Sequence, residues 1–162
     1  MSYAKEQLLT TTIQLHSRDI SKTQNIDGLL KYKLRNDYEN VCNKHGYVLK
    51  DSVQIKNRSI GKLVNHDESM VEYQLTIKIN VIHPCEKDIF DCKIDNITKM
   101  GAIGCLAGDY TIENSPIIFI IPTQYIDDID SLAKGTEKKV EVLQSRIKYK
   151  AKQIQVVGKI VD

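Results

Sequence analysis

Residues 70–82, MVEYQLTIKINVI, alternate apolar and polar side chains over a long reach, with Val71, Tyr73, Leu75, Ile77, Ile79 and Val81 on one face. A period of two is the pattern of an extended strand with one buried side. No other segment declares its conformation as plainly. Upstream, EQLLTTTIQL (6–15) carries β-branched residues in partial alternation and predicts an opening strand. Between the two, IDGLLKYKLRNDYENVC places Leu30, Leu34, Tyr38 and Val41 at helical spacing. Asn25 or Asp27 suits its N-cap, and Gly46 follows where a left-handed residue often ends a helix. GYVLKDSVQI and SIGKLV read as short strands, which makes the first half a β-α-β lobe.

The pattern changes at His83-Pro84. FDCKIDNI, AIGCLAG, PIIFIIP, KKVEVLQSRI and QIQVVGKIV are five short strands separated by turn residues, with only DDIDSLAKG as a small polar helical segment. That count predicts a small Greek-key barrel of the OB type. The fold class is therefore α+β, with an N-terminal lobe over residues 1–83 and an all-β barrel over 84–162. The amino terminus lacks the positive region, apolar core and small-residue cleavage site of a signal peptide. PIIFIIP, the longest apolar run, is too short to span a bilayer. Four irregularly spaced cysteines do not form a secreted disulfide framework. These features predict a soluble intracellular chain with no membrane partner.

Each candidate for chemistry has an ordinary structural role available. The stretch DCKIDNITKMGAIGCLAGDY (91–110) holds Gly101, Gly104 and Gly108, but no helix pattern and no Gly-Lys-Ser/Thr ending follow, so a phosphate loop is not expected. Glycine as a strand bend or bulge is the simpler reading. His83, Cys85, Cys92 and Cys105 lack the two tight pairs of a structural zinc site, and buried cysteines commonly act as small hydrophobes. Cys42 with His45 falls at the expected helix end without an oxyanion donor or orienting acid. Asp127, Asp128 and Asp130 suit the start of a short helix better than a divalent ion. No catalytic residue, metal site or cofactor is expected.

A net charge of +2 gives little steering towards nucleic acid, so any basic footprint must be local. It is found near the end of the chain. In RIKYKAK, Lys148 and Lys150 would share one strand face and track a phosphate backbone, while Tyr149 would be core or a stacking platform. Lys152 continues the basic run. The alternative is a solvated, lysine-rich hairpin edge.

The order of these segments resembles the stalk subunits of multisubunit RNA polymerases, the seventh subunit of RNA polymerase II and its archaeal counterparts. Leu15-His16 resembles the family's Leu-His-Pro before the helix, and LLKYKLRNDYENVCNKHGYVL its helix, loop and Gly-Tyr strand. IGKLV…VEYQLTIKINVIHP is similar to its strands running into a linker proline, and IDNITKMGAIGCLAG to its first barrel strands with the bend at Gly101. IIFIIPTQYI resembles the third barrel strand with its Phe, here Phe119, and KKVEVLQSRIKYKAKQIQVVGKI the last hairpin. Three departures stand out. LHSRDIS lacks the family's proline and glycine, Ala102-Ile103 replace an aromatic after the barrel glycine, and DYTIENS (109–115) resembles an insertion. Such divergence suits a viral or otherwise fast-evolving polymerase.

The resemblance implies a non-catalytic subunit with an RNP-like tip domain that docks on the largest polymerase subunit and core at the clamp base. A small helical partner subunit would lie along both domains, and the OB barrel would meet nascent RNA. Lys99, Phe119, Lys148, Tyr149, Lys150 and Lys152 are the candidate RNA contacts. The compartment would be the nucleus for a cellular eukaryotic member, or the host cytoplasm or virion for a viral one. A free-standing OB-fold RNA-binding or translation factor is the alternative.

Overall fold

The structure, a computed structural model, describes residues 4–64, 67–127 and 129–161. In chain order its elements are strand β1 (Lys5–His16), helices α1 (Ser17–Ser21) and α2 (Ile26–Tyr38), and strands β2 (Cys42–Asn43), β3 (Gly46–Val48), β4 (Gln54–Arg58), β5 (Lys62–Val64) and β6 (Asp67–Ile82). Then come β7 (Ile89–Thr98), β8 (Gly101–Leu106), β9 (Ile117–Pro122), two single turns of 3-10 helix, β10 (Glu137–Arg146) and β11 (Ile154–Val161). The chain is mostly β with few helices. No helix among the described residues is long and apolar enough to cross a membrane. Its contacts cluster into two units, one of residues 5–39 with 48–81, the other mainly of 40–47 with 82–162.

The first unit is built on β6. Its odd-numbered residues Tyr73, Leu75, Ile77, Ile79 and Val81 are all buried, as the alternation requires. β1 pairs antiparallel along one side in the register Ile13↔Tyr73 and Thr11↔Leu75. β5, β4 and the backbone at Leu49 pair along the other. α2 covers the buried face, with Leu30 and Leu34 one turn apart and fully enclosed among the sheet's apolar residues. Asn25 caps the helix, its side chain accepting the Gly28 N–H at 3.0 Å. At the other end Arg35 pairs with Glu39 at 3.3 Å. The Glu39 carboxylate also accepts the Asp51 and Val53 N–H groups, tying the 49–53 turn to the helix end.

Several local expectations are corrected. Val41 lies beyond the helix, because Glu39 is already extended and Asn40 takes a left-handed φ of 63°. Asn40, not Gly46, is therefore the left-handed residue behind α2, while Gly46 opens β3 with φ 124°. α1 was not anticipated. Its one turn is capped by His16, whose Nδ1 accepts the Arg18 N–H at 3.0 Å. The polar helical segment around residue 130 shrinks to one 3-10 turn, Ile129–Ser131.

The second unit contains a closed barrel of order β10-β11-β9-β8-β7, with β10 returning to β7. β9 and β11 run parallel, and the other neighbours are antiparallel. Five strands closed in this order are compatible with an OB fold. Phe90 and Phe119 fill the interior with ring centroids 6.0 Å apart and planes at 51°. Gly101 begins β8 at φ 141°, and a Cβ there would sit 2.1 Å from the Ile121 carbonyl oxygen. A Cβ on Gly104 would lie 2.5 Å from the Cys92 sulfur. Both glycines thus permit close strand approach, and neither lies in an anion-binding loop.

Candidate nucleic-acid interface

The expected strand RIKYKAK is interrupted. β10 ends at Arg146 and β11 starts at Ile154, so residues 147–153 form the connecting loop. The Ala151 N–H donates to the Lys148 carbonyl at 3.0 Å, closing a turn, and Lys150 adopts φ 65°. Tyr149 is therefore at the tip, 77% exposed, and is not a core residue. Lys148, Lys150 and Lys152 are exposed around it. The Lys150 ammonium lies 5.6 Å from the Tyr149 ring centroid. At that range its charge meets the ring's negative face. Lys148 and Lys152 make no ion pair among the described residues.

This loop is fastened from outside the barrel strands. The Lys150 N–H donates to the Cys42 carbonyl at 2.8 Å, and the Cys42 N–H donates to the Ala151 carbonyl at 2.8 Å. Cys42 belongs to the 42–47 hairpin, so Lys44, exposed at its turn, is carried beside the loop. Lys44 was absent from the sequence-based set, and no local signal points to it. Only the pairing of Cys42 with a segment far along the chain brings it there. On another side Gln153 Nε2 donates to the Ile112 carbonyl at 2.7 Å. The 107–116 segment is itself tied down, Lys93 Nζ donating to the Tyr110 carbonyl at 2.7 Å.

The structure does not bring all six expected contacts together. Lys99 lies in the β7–β8 turn, at the opposite end of the barrel from 147–153, because β10 runs antiparallel to β7. Phe119 is a correction. It is fully buried in the barrel interior against Phe90, so its ring cannot meet RNA without unfolding the barrel. Ala102 points inward and is buried, whereas Ile103 faces outward opposite Ile120.

Three of the four cysteines are buried and Cys85 is exposed. Cys42 sits in β2, not at a helix end, and burial pushes its thiol up to about 11. Cys92 is pushed up to about 12, by burial first and then by the nearby Cys105. Cys105 is raised chiefly by burial as well. Cys85 is exposed, its sulfur 3.7 Å from His83 Nδ1. No three His, Cys, Asp or Glu side chains converge as a metal site among the described residues. Asp128 and Asp162 lie outside those residues.

A thiol reagent at mildly alkaline pH should modify Cys85 promptly and the other three only after denaturant is added. Rapid modification of all four in native buffer would contradict the burial. Unfolded thiols ionise near their ordinary value of 9.0, while Cys42 and Cys92 hold protons to about 11 and about 12. Stability is thus lost as pH rises through that window.

No protein-family model matches the chain, and no curated protein matches it either.

Proposed function

We propose that the chain is a non-catalytic stalk subunit of a DNA-directed RNA polymerase, with a barrel that meets emerging RNA through the 147–152 loop. The observation that carries the RNA contact is the exposed Tyr149 on a backbone-pinned loop, ringed by Lys148, Lys150 and Lys152. Single-stranded RNA is held by cations along its phosphates and by aromatic faces under its bases. This loop offers both, and its hydrogen bonds to Cys42 reduce the ordering that binding would otherwise require. The outer face of β8 and β9 carries Ile103, Ile118 and Ile120 in place of aromatics, which leaves the loop as the main stacking surface.

The polymerase assignment rests on the order of segments along the chain. In this reading β1, α2 and β6 form the β-α-β tip lobe, which anchors at the clamp base on the largest subunit. A small helical partner lies along both parts. The work is binding free energy with no bond chemistry, and the nucleotidyl transfer belongs to the whole complex. Affinity purification of the tagged chain from its native cell, with nuclease treatment, tests this. The expected result is co-elution with large polymerase subunits at fixed stoichiometry. Recovery only as a single chain with RNA would overturn the stalk reading and favour a free-standing OB-fold factor.

A further inference from the structure

β1 forms an open edge of the first unit's sheet, and its pairing with β6 sets its hydrogen-bond phase. The Asn80 carbonyl accepts the Leu49 N–H at 2.9 Å, and the Gln74 carbonyl accepts the Ser59 N–H at 2.9 Å. The Gln74 N–H donates to Ser59 Oγ at 3.0 Å. Even-numbered residues of β6 thus turn their backbone groups away from β1, and odd-numbered residues bond to it. In the register Leu9↔Ile77, Thr11↔Leu75 and Ile13↔Tyr73, the bonded residues of β1 are odd-numbered too. The N–H and C=O groups of Leu8, Thr10, Thr12 and Gln14 therefore point out of the sheet.

β1 is a terminal strand of its sheet and runs for 12 residues. Residues 7–15, QLLTTTIQL, contain no charge and no proline. Those are the features by which edges usually discourage pairing. Two of the outward carbonyls are met only by long side chains. Gln7 Nε2 donates to Leu8 O at 3.2 Å and Lys33 Nζ to Gln14 O at 2.6 Å. Among the described residues the outward groups of Thr10 and Thr12 have no such cap. Leu8 adds an apolar side chain 60% exposed on the solvent face.

We infer that a second copy of this chain covers the edge, with β1 pairing antiparallel to the partner's β1 about a two-fold axis at Thr11. The sequence around that point is close to self-complementary. Thr10 meets the partner's Thr12, Leu9 matches the partner's Ile13 on the core side, and Leu8 meets the partner's Gln14. Outside them, Glu6, which pairs with Lys78 at 2.9 Å within its own chain, meets the partner's His16. Outward-pointing residues oppose outward-pointing residues throughout, so the Leu8–Gln14 and Thr10–Thr12 pairs can exchange about eight interchain hydrogen bonds across the axis. The pairing displaces the Gln7 and Lys33 caps, which are flexible side chains. It makes an isologous interface of the kind most soluble dimers use. The pairing depends on the sheet alone and is independent of the polymerase assignment.

Sedimentation equilibrium of the full chain from low to high micromolar concentration tests it, alongside Thr12→Pro and Thr12→Lys. Proline at position 12 removes an N–H that faces outward, so the ladder to β6 is left whole. The parent mass should rise from 18.5 kDa to twice that value, while both variants stay at the single-chain mass with unchanged far-UV circular dichroism. Should the proline variant fail to fold, the lysine variant decides alone. A parent that stays single at every concentration overturns the inference, as does a variant that doubles its mass like the parent. A single chain that instead takes up an extended strand of another protein also overturns it.

Discussion

Phe119→Ala is expected to remove about 3–5 kcal/mol from the stability of the barrel. The side chain is fully buried and packs against Phe90, so its loss leaves a cavity bounded by rigid strands. Small domains are stable by about 5–15 kcal/mol in all, so the variant should unfold at much lower urea concentration. Phe119→Leu keeps most of the volume and should lose markedly less. RNA affinity per folded molecule should stay at the parent value in either variant, because the ring has no path to solvent. Weak RNA binding by a Phe119→Ala protein of undiminished stability would mean the ring is a contact and the interior placement is wrong.

Phe119 also shows why part of the candidate site could not be read from the sequence. PIIFIIP is apolar throughout, so a period of two assigns no face to any of its residues. The alternation in 70–82 does assign one, and β6 buries Tyr73, Leu75, Ile77, Ile79 and Val81 and half-buries Val71. The 147–152 loop failed for another reason. Its turn is made with Lys150 in a left-handed conformation, without the glycine or asparagine that normally announces one. The turn is stabilised by Cys42, whose pairing with Lys150 and Ala151 spans most of the chain. Contacts of that range leave no local trace, and Lys44 was missed with them. α1 was missed because five residues are too few to show a helical period.

The largest functional effect is expected at the loop. Tyr149→Ala should weaken binding of single-stranded RNA by about 1–3 kcal/mol, the usual worth of one base stacked on an aromatic ring. Since the ring is exposed, folding stability should be nearly unchanged. Replacing Lys148, Lys150 and Lys152 together by alanine should act differently. Each lysine that neutralises a phosphate releases a counterion, so the loss is large at low salt and shrinks as salt rises. Removing Lys99 alone should have little influence on the same RNA, because it sits at the other end of the barrel.

The most direct measurement is therefore a salt titration of RNA binding by the parent chain and the Lys148/Lys150/Lys152→Ala variant. If the loop is the RNA contact, the slope of log affinity against log salt should become shallower by about 2 in the variant. Equal slopes and equal affinities for the two proteins would contradict it.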